Sequence, residues 1–292
     1  MKILVIGGNR FFGKRLVAGL IAKEHHVTLM NRGQIPDGFG DRVQRITMDR
    51  RELRRNHPAL GDQHWDVIVD QVCYDAAEAA GACQAFGGRV GRYVFTSTKS
   101  VYGQRPNLRE SAFDPKKYPL IKLVTRDDDY GEAKRQAEAA FFQQAPFPVV
   151  AVRFPIVIGP DDYTERLKFH VDRVLQSRSM YFPAIEAKMC FISSADAAAF
   201  LEFILESTFT GPVNACAMEP IALRKIVDQI ETITGKKAIL ASDSTQGDHS
   251  PYGADSDTYM NTDLMRSLGF EAEPIDQWLP LAIRTYAANR RI

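Results

Sequence analysis

The sequence predicts an α/β fold, a doubly wound parallel Rossmann sheet carrying a smaller C-terminal α/β substrate lobe. Three observations carry that expectation. Short apolar segments alternate with helical ones through the first half of the chain. A glycine-rich turn stands directly between the first apolar run and the first helical segment, and beyond Gly159 the alternation becomes irregular.

Residues 3–6 are wholly apolar, as a central strand buried on both faces requires. Residues 14–23 set Leu16, Val17, Leu20 and Ile21 on one helical face. Strands are expected at 27–30 and 43–48, and a helix at 50–56 stops ahead of Pro58. Two more strands, 67–69 and 93–96, flank an Ala-rich helix at 75–86. Residues 104–129 form a long polar loop, of a kind that usually serves as a lid or substrate wall. A helix over 130–144 ends before Pro146 and Pro148, and 149–154 reads as another buried strand.

Further on, helices are expected at 163–176, 194–206, 222–234, 262–268 and 275–288, with strands near 180–182, 213–217 and 238–241. The polar segment 242–260, rich in Gly, Ser and Asp, is expected to be a mobile surface loop. The division this implies is a dinucleotide-binding domain over 1–158 and a smaller lobe over 159–292, partly interleaved, with a cleft between them.

Composition narrows the class. The 292 residues are 45% hydrophobic and 25% charged, with a formal net charge of +1. That is an ordinary globular balance, and it supplies no strong field for nucleic acid or an anionic membrane. No apolar stretch approaches the roughly 20 residues that span a bilayer. The opening Met1-Lys2-Ile3-Leu4-Val5-Ile6 is too short for a signal peptide, so a cytoplasmic protein is expected. Cys73, Cys83, Cys190 and Cys216 are scattered and form no CxxC pair, which fits reduced thiols. The six histidines make no HxxxH or HxH cluster, so no protein-bound metal is expected.

The run Gly7-Gly8-Asn9-Arg10-Phe11-Phe12-Gly13 sits where a dinucleotide fingerprint must sit, between strand and helix. Gly7 permits a tight turn, Gly13 permits close helix–strand packing, and the helix N-terminus offers N–H groups and a positive dipole end to a pyrophosphate. Arg10 holds the position usually given to the central glycine; its backbone N–H and its guanidinium remain donors to phosphate. Asn9, Phe11 and Phe12 complete the loop. After the second strand comes Asn31-Arg32-Gly33, with no carboxylate to hold the ribose hydroxyls of NAD. A cation there suits the 2′-phosphate of NADP, so NADP(H) is expected at Arg32 and Arg10, with NAD as the alternative. Asp49, with Arg50 beside it, is a candidate for adenine contact at the end of the third strand.

Tyr130 and Lys134 lie four residues apart and share one helical face. An ammonium beside a phenol favours its ionised form, which suits a group that exchanges a proton with a substrate hydroxyl. The strand at 93–96 runs into Ser97-Thr98-Lys99-Ser100, placing hydroxyls at the carboxyl end of a strand, where ligands of open α/β sheets bind.

These residues resemble the extended short-chain dehydrogenase/reductase family, also called the NAD-dependent epimerase/dehydratase family, over nearly the whole chain. The resemblance rests on Gly7–Gly13, Ser97-Thr98 ahead of Val101-Tyr102-Gly103, and Tyr130-Gly131-Glu132-Ala133-Lys134 with Glu138 beyond. It continues through Arg153-Phe154-Pro155, Gly159-Pro160, Asp196 and Asn214. It implies Tyr130 as acid/base, Lys134 as its partner and ribose anchor, and Thr98 as the hydroxyl that orients substrate. It further implies that Phe154, Pro155, Ile156 and Val157 line a nicotinamide pocket. Gln71, after the strand at 67–69, is a further cofactor contact, whereas Cys73 reads as packing.

Family members act mostly on nucleotide-linked sugars, and they often form homodimers through helices flanking the active site. Lys99-Ser100 replaces the Asp-Glu that follows the active-site Thr in dehydratases, which argues against that branch. An NAD(P)-dependent reductase or epimerase is therefore expected, with Tyr163 and Arg166 as candidates for a substrate phosphate. The glycine loop is also similar to atypical members such as chloroplast stem-loop-binding proteins. The alternative is thus a non-catalytic NADP-binding or RNA-binding protein, which the intact Thr98, Tyr130 and Lys134 set and the near-neutral charge disfavour.

Overall fold

A computed structural model of the protein describes residues 1–120, 124–245 and 247–288. The first elements are β1 (Lys2–Ile6), α1 (Phe11–Ala22), β2 (His26–Asn31), β3 (Gln44–Thr47), β4 (Trp65–Asp70) and α2 (Ala76–Phe86). They are followed by β5 (Val90–Thr98), α3 (Tyr130–Gln144), β6 (Val149–Phe154), β7 (Ile156–Ile158), α4 (Arg166–Leu175), β8 (Ser179–Met180), β9 (Lys188–Met189) and β10 (Phe191–Ser193). The chain then forms α5 (Ser194–Glu206), β11 (Gly211–Asn214), β12 (Ile221–Ala222), α6 (Leu223–Thr234), β13 (Ile239–Leu240), α7 (Asp263–Ser267) and α8 (Ile275–Ala288). No described helix is long and apolar enough to cross a membrane.

Seven strands build one parallel sheet in the order β11-β6-β5-β4-β1-β2-β3. The winding reverses between β1 and β4, and the carboxyl ends of those two strands flank the crevice such a reversal creates. β1 and β6 are buried along nearly their whole length, which is why they read as apolar runs, interrupted in β6 only by Arg153. One face of the sheet is covered by α2 and α3, whose facing Ala79, Ala82, Ala137 and Ala140 let the helices pack closely over an aromatic layer of Phe86, Tyr93, Phe141 and Phe147. This Rossmann-type arrangement is the one the sequence predicts.

The chain forms two compact units. The first comprises residues 1–102, 110–154 and 197–215; the second comprises 103–109, 155–196 and 216–292. They do not part at a single point near residue 158, because β11 returns to the large sheet beside β6 while β7 pairs with β10 in the second unit.

In the second unit α4, α6 and α8 pack together through Leu167, Val171, Ile226, Ile230, Leu279 and Ile283. His170 of α4 is buried between the rings of Phe182 and Tyr252, at 5.3 and 4.4 Å. Its Nδ1 bonds the Arg166 carbonyl at 2.8 Å, which leaves Nε2 to accept from the Ser250 hydroxyl at 2.8 Å.

That anchor overturns one expectation. Residues 242–260 are not a surface loop throughout: Asp248, Ser250, Tyr252, Ala254, Thr258 and Met260 are buried. The helix expected at 50–56 is a single 3-10 turn, Arg50–Glu52, because Asp49 caps the Arg51 amide and the chain turns extended at Leu53. The helix expected from 163 begins at Arg166. The strands β7, β9, β10 and β12 were not expected at all.

Burial lowers the His170 imidazole from its ordinary 6.5 to about 3. The unfolded chain therefore binds a proton below pH 6.5 that the folded chain refuses until about pH 3. Stability should fall through that window by about 1.4 kcal/mol per pH unit from this group. Denaturant unfolding of a His170→Phe variant across the same range should show a shallower acid slope. An unchanged slope would mean that His170 is not the group refusing the proton.

Candidate active site

The turn after β1 is built on left-handed glycines, Gly7 at φ +95° and Gly8 at φ +79°. A Cβ on Gly8 would lie 2.7 Å from Val5 Cγ1, so no other residue fits without displacing that buried side chain. Arg10, exposed and extended, is the N-cap of α1, and no side chain caps that helix. Phe11 is buried at φ +50°, and Phe12 stacks edge-on against Phe154 at 5.7 Å. Asn9 is held to the following loop by Nδ2 donating to the Ile35 carbonyl at 3.1 Å.

The Gln71 side chain, at the end of β4, packs on Gly13: a Cβ built on Gly13 would fall 2.0 Å from Gln71 Oε1. Gln71 Nε2 is buried with no hydrogen-bond partner among the described residues. A buried orphan donor beside a glycine turn and an uncapped helix N-terminus fits an anionic dinucleotide, whose oxygens would supply the missing acceptors.

At the neighbouring strand ends, Asn31 Oδ1 accepts from Gly33 N at 2.8 Å and Arg32 is exposed. Asp49 is gripped by Arg51 through Nε at 3.1 and 3.2 Å and Nη2 at 2.7 Å. The Arg51 side chain, then its amide, and then the Arg51 and Arg32 charges hold the Asp49 carboxyl down to about 2 against the opposing effect of burial. Arg50, expected beside the cofactor, turns inward instead. It is buried, donates to Asp70 Oδ2 at 2.5 Å and lies 3.3 Å from Glu78 Oε2. Asp70 also accepts from the buried Tyr93 hydroxyl at 2.6 Å and caps Val72 N at 3.0 Å, which fixes the chain that follows β4. Cys73 is buried, and that burial pushes its thiol far up, as packing requires.

Lys134 is 2% exposed, and its ammonium donates to the carbonyls of Cys73 at 2.6 Å and Thr96 at 2.9 Å. The rings of Tyr74 and Phe95 lie 4.9 and 4.7 Å away, so two dipoles and two π-faces replace water around the cation. Lys134 thus joins the ends of β4 and β5, and no hydrogen bond links it to Tyr130.

Tyr130 opens α3 behind its Asp129 cap and is 39% exposed; none of the described residues hydrogen-bonds its hydroxyl. Thr98 is buried and caps the turn after β5, accepting from Ser100 N at 3.1 Å and lying 3.3 Å from Ser100 Oγ. The two turns meet: a Cβ on Gly131 would come within 2.8 Å of the Ser100 carbonyl, so glycine allows the first turn of α3 to sit on the Thr98 turn. Pro155 and Val157, expected at the nicotinamide, belong to the second unit, where Val157 pairs with Ile192.

Sequence reasoning assigned no role to what holds these turns. Arg153 is fully buried in β6, in register with Ser97 of β5 and Asn214 of β11. All five of its N–H groups are used. Nε and Nη2 donate to Glu138 at 3.0 and 2.6 Å, Nη1 to the Tyr102 hydroxyl at 2.7 Å and the Glu110 carbonyl at 2.9 Å, and Nη2 to the Phe113 carbonyl at 3.1 Å. Tyr102 donates onward to Asn214 Oδ1 at 2.8 Å, and the Ser97 hydroxyl donates to Glu138. Burial opposes the guanidinium charge, and the Glu138 carboxylate more than offsets it. The signal was present in the sequence: a lone arginine in an apolar strand requires a buried counter-charge.

No family model matches the chain. Among curated proteins it is 27% identical to a 2-alkyl-3-oxoalkanoate reductase of Stenotrophomonas maltophilia, over 80% of this chain and 76% of that one. It is 31% identical to a 2'-dehydrokanamycin reductase of Streptomyces kanamyceticus and 29% identical to a chloroplast stem-loop binding protein of Arabidopsis thaliana. Those two alignments cover 44% and 42% of this chain and span only 37% of either relative. Among solved structures, a UDP-glucose 4-epimerase of Thermotoga maritima with UDP-glucose superposes with a TM-score of 0.76 at 16% identity, covering 98% of both chains. A dTDP-glucose 4,6-dehydratase of Bacillus anthracis in complex with NAD gives 0.75 at 17% identity, covering 99% of this chain and 97% of that one. The fold is that of the NAD-dependent epimerases and dehydratases, and the resemblance read from the motifs holds at that level.

Removing the Glu138 charge tests the buried pair. Glu138→Gln should lower unfolding stability by about 3–5 kcal/mol, the scale of stranding a buried ion. The readout is the denaturant midpoint. A loss below about 1 kcal/mol, the scale of an exposed pair, would show that water reaches Arg153.

Proposed function

We propose that the chain is an NADP(H)-dependent oxidoreductase of the extended short-chain dehydrogenase/reductase type. It interconverts a hydroxyl and a keto carbon of a nucleotide-sugar-like substrate, with Tyr130 as the acid/base. The observation that carries this reading is the exposed Tyr130, its hydroxyl without a hydrogen-bond partner among the described residues, one helical turn from the buried Lys134 and on the turn that abuts Thr98.

In this reading the bound cofactor donates or accepts hydride. The chain's own residues do the rest. Tyr130 hands a proton to the substrate oxygen in reduction and takes it back in oxidation. Lys134 keeps a positive charge behind the phenol, and its rigid seat on two carbonyls prevents that charge from drifting. Thr98 orients the same oxygen. Arg32 and Arg10 receive the 2′-phosphate, Gln71 and the α1 N-terminus the pyrophosphate, and Phe154 packs beside the nicotinamide. Ketone reduction is favoured over epimerisation because two of the curated relatives are reductases by name, one of them of a 3-oxoalkanoate. The epimerase and dehydratase neighbours carry UDP-glucose or NAD, which supports a nucleotide-linked substrate and a nicotinamide.

Two measurements test the reading. Fluorescence titration should show tighter binding of NADPH than NADH, and equal affinities would remove the NADP(H) preference. Tyr130→Phe should lower turnover of a keto substrate by about a hundredfold or more while leaving NADPH affinity intact. Full activity in that variant would remove the acid/base role.

The match to a stem-loop binding protein favours a second reading, a cofactor-binding protein that takes RNA. In that case stem-loop RNA would be retained by the protein and Tyr130→Phe would change nothing. A formal charge of +1 argues against it.

A further inference from the structure

Arg50 and Arg51 are adjacent, yet the fold gives them opposite directions. Arg50 is drawn into the Asp70–Glu78 pocket and pins the turn. Arg51 is left outward, its side chain 70% exposed, with Nε and Nη2 on Asp49. β2 and β3 bring the Asp49–Arg51 turn beside the Arg32 turn. Asn31 is in register with Thr47, and Met48 N donates to the Asn31 carbonyl at 2.9 Å. Gly33 packs on the Thr47 methyl, which a Cβ would approach to 3.2 Å. The field of Arg32 reaches Asp49 as well.

Both oxygens of Asp49 are engaged by Arg51, so the carboxylate expected to meet adenine serves instead to orient a guanidinium. What this strand end presents is two arginines against one neutralised carboxylate. Such an arrangement is ill suited to neutral ribose hydroxyls and well suited to a dianion bound by a fork of N–H groups.

We infer that Arg51 is a second ligand of the cofactor's 2′-phosphate, held in position by Asp49, and that it sets the preference for NADP(H) together with Arg32. This rests on the NADP(H) reading above and adds to it a residue, a holder and a reassignment of Asp49.

The test is equilibrium binding of NADPH, NADH, 2′-AMP and 5′-AMP to the wild type and to Arg51→Ala, Arg51→Lys and Arg54→Ala. Arg54 is a neighbouring exposed arginine that serves as a control for general loss of charge. Arg51→Ala should weaken NADPH and 2′-AMP about tenfold, the size of one hydrogen bond to a charged group, and leave NADH and 5′-AMP little changed. Arg51→Lys should recover only part of the loss, since it keeps the charge and loses the fork. The inference is overturned if Arg51→Ala weakens NADPH no more than Arg54→Ala does, or weakens NADH equally. A wild type that binds 2′-AMP no better than 5′-AMP would instead remove the NADP(H) reading itself, before the variants are compared.

Discussion

A guanidinium with no exposed surface, at the penultimate position of β6, holds the candidate active site together. Arg153 is tolerable there only because each of its five N–H groups has an acceptor, two of them on the Glu138 carboxylate. Those acceptors come from α3, from Tyr102 and from the carbonyls of Glu110 and Phe113. One side chain thereby ties three parallel strands to the loop that follows β5 and to the helix that carries Tyr130 and Lys134. A loop that would otherwise cost conformational entropy to order is held by bonds that cannot be broken singly without stranding a buried charge.

The same logic recurs at the β4 end of the sheet. Asp70, Arg50, Tyr93 and Glu78 form a second buried polar cluster, which sets the chain running to Cys73. Lys134 bonds the Cys73 carbonyl and the Thr96 carbonyl, so its ammonium ties the chain that follows β4 to the end of β5. The glycine turn after β1 and the Gln71 side chain lie across the winding reversal of the sheet. Polar networks therefore support the positions at which the proposed cofactor and phenol must act, while Tyr130 itself is left exposed, its hydroxyl unpaired among the described residues.

Much of the fold was legible in the sequence because its signals are local. The spans 130–144, 149–154, 194–206 and 275–288 coincide with α3, β6, α5 and α8, each marked by a long periodic or largely apolar pattern. The strands missed are two or three residues long, too short to show a period. Residues 242–260 misled because Ser, Gly and Asp read as surface, whereas Ser250 is drawn in by the ring nitrogen of His170, eighty positions earlier. Within the site, the spacing of Tyr130 and Lys134 was visible, but the lysine's true partners are backbone carbonyls, which carry no residue identity. That Arg50 points in and Arg51 out depends on a carboxylate at Asp70 and could not be read from two adjacent arginines.

In the proposed function Tyr130 and Thr98 would hold the nicotinamide end of the cofactor, and the turn after β1 its pyrophosphate. A crystal structure of the protein with NADP⁺ tests this most directly. Pyrophosphate density is expected at the Gly7–Gly13 turn, 2′-phosphate density at Arg32 and the nicotinamide ring within reach of both Tyr130 and Thr98. Density that places the nicotinamide away from α3, with Tyr130 facing bulk solvent, would contradict it.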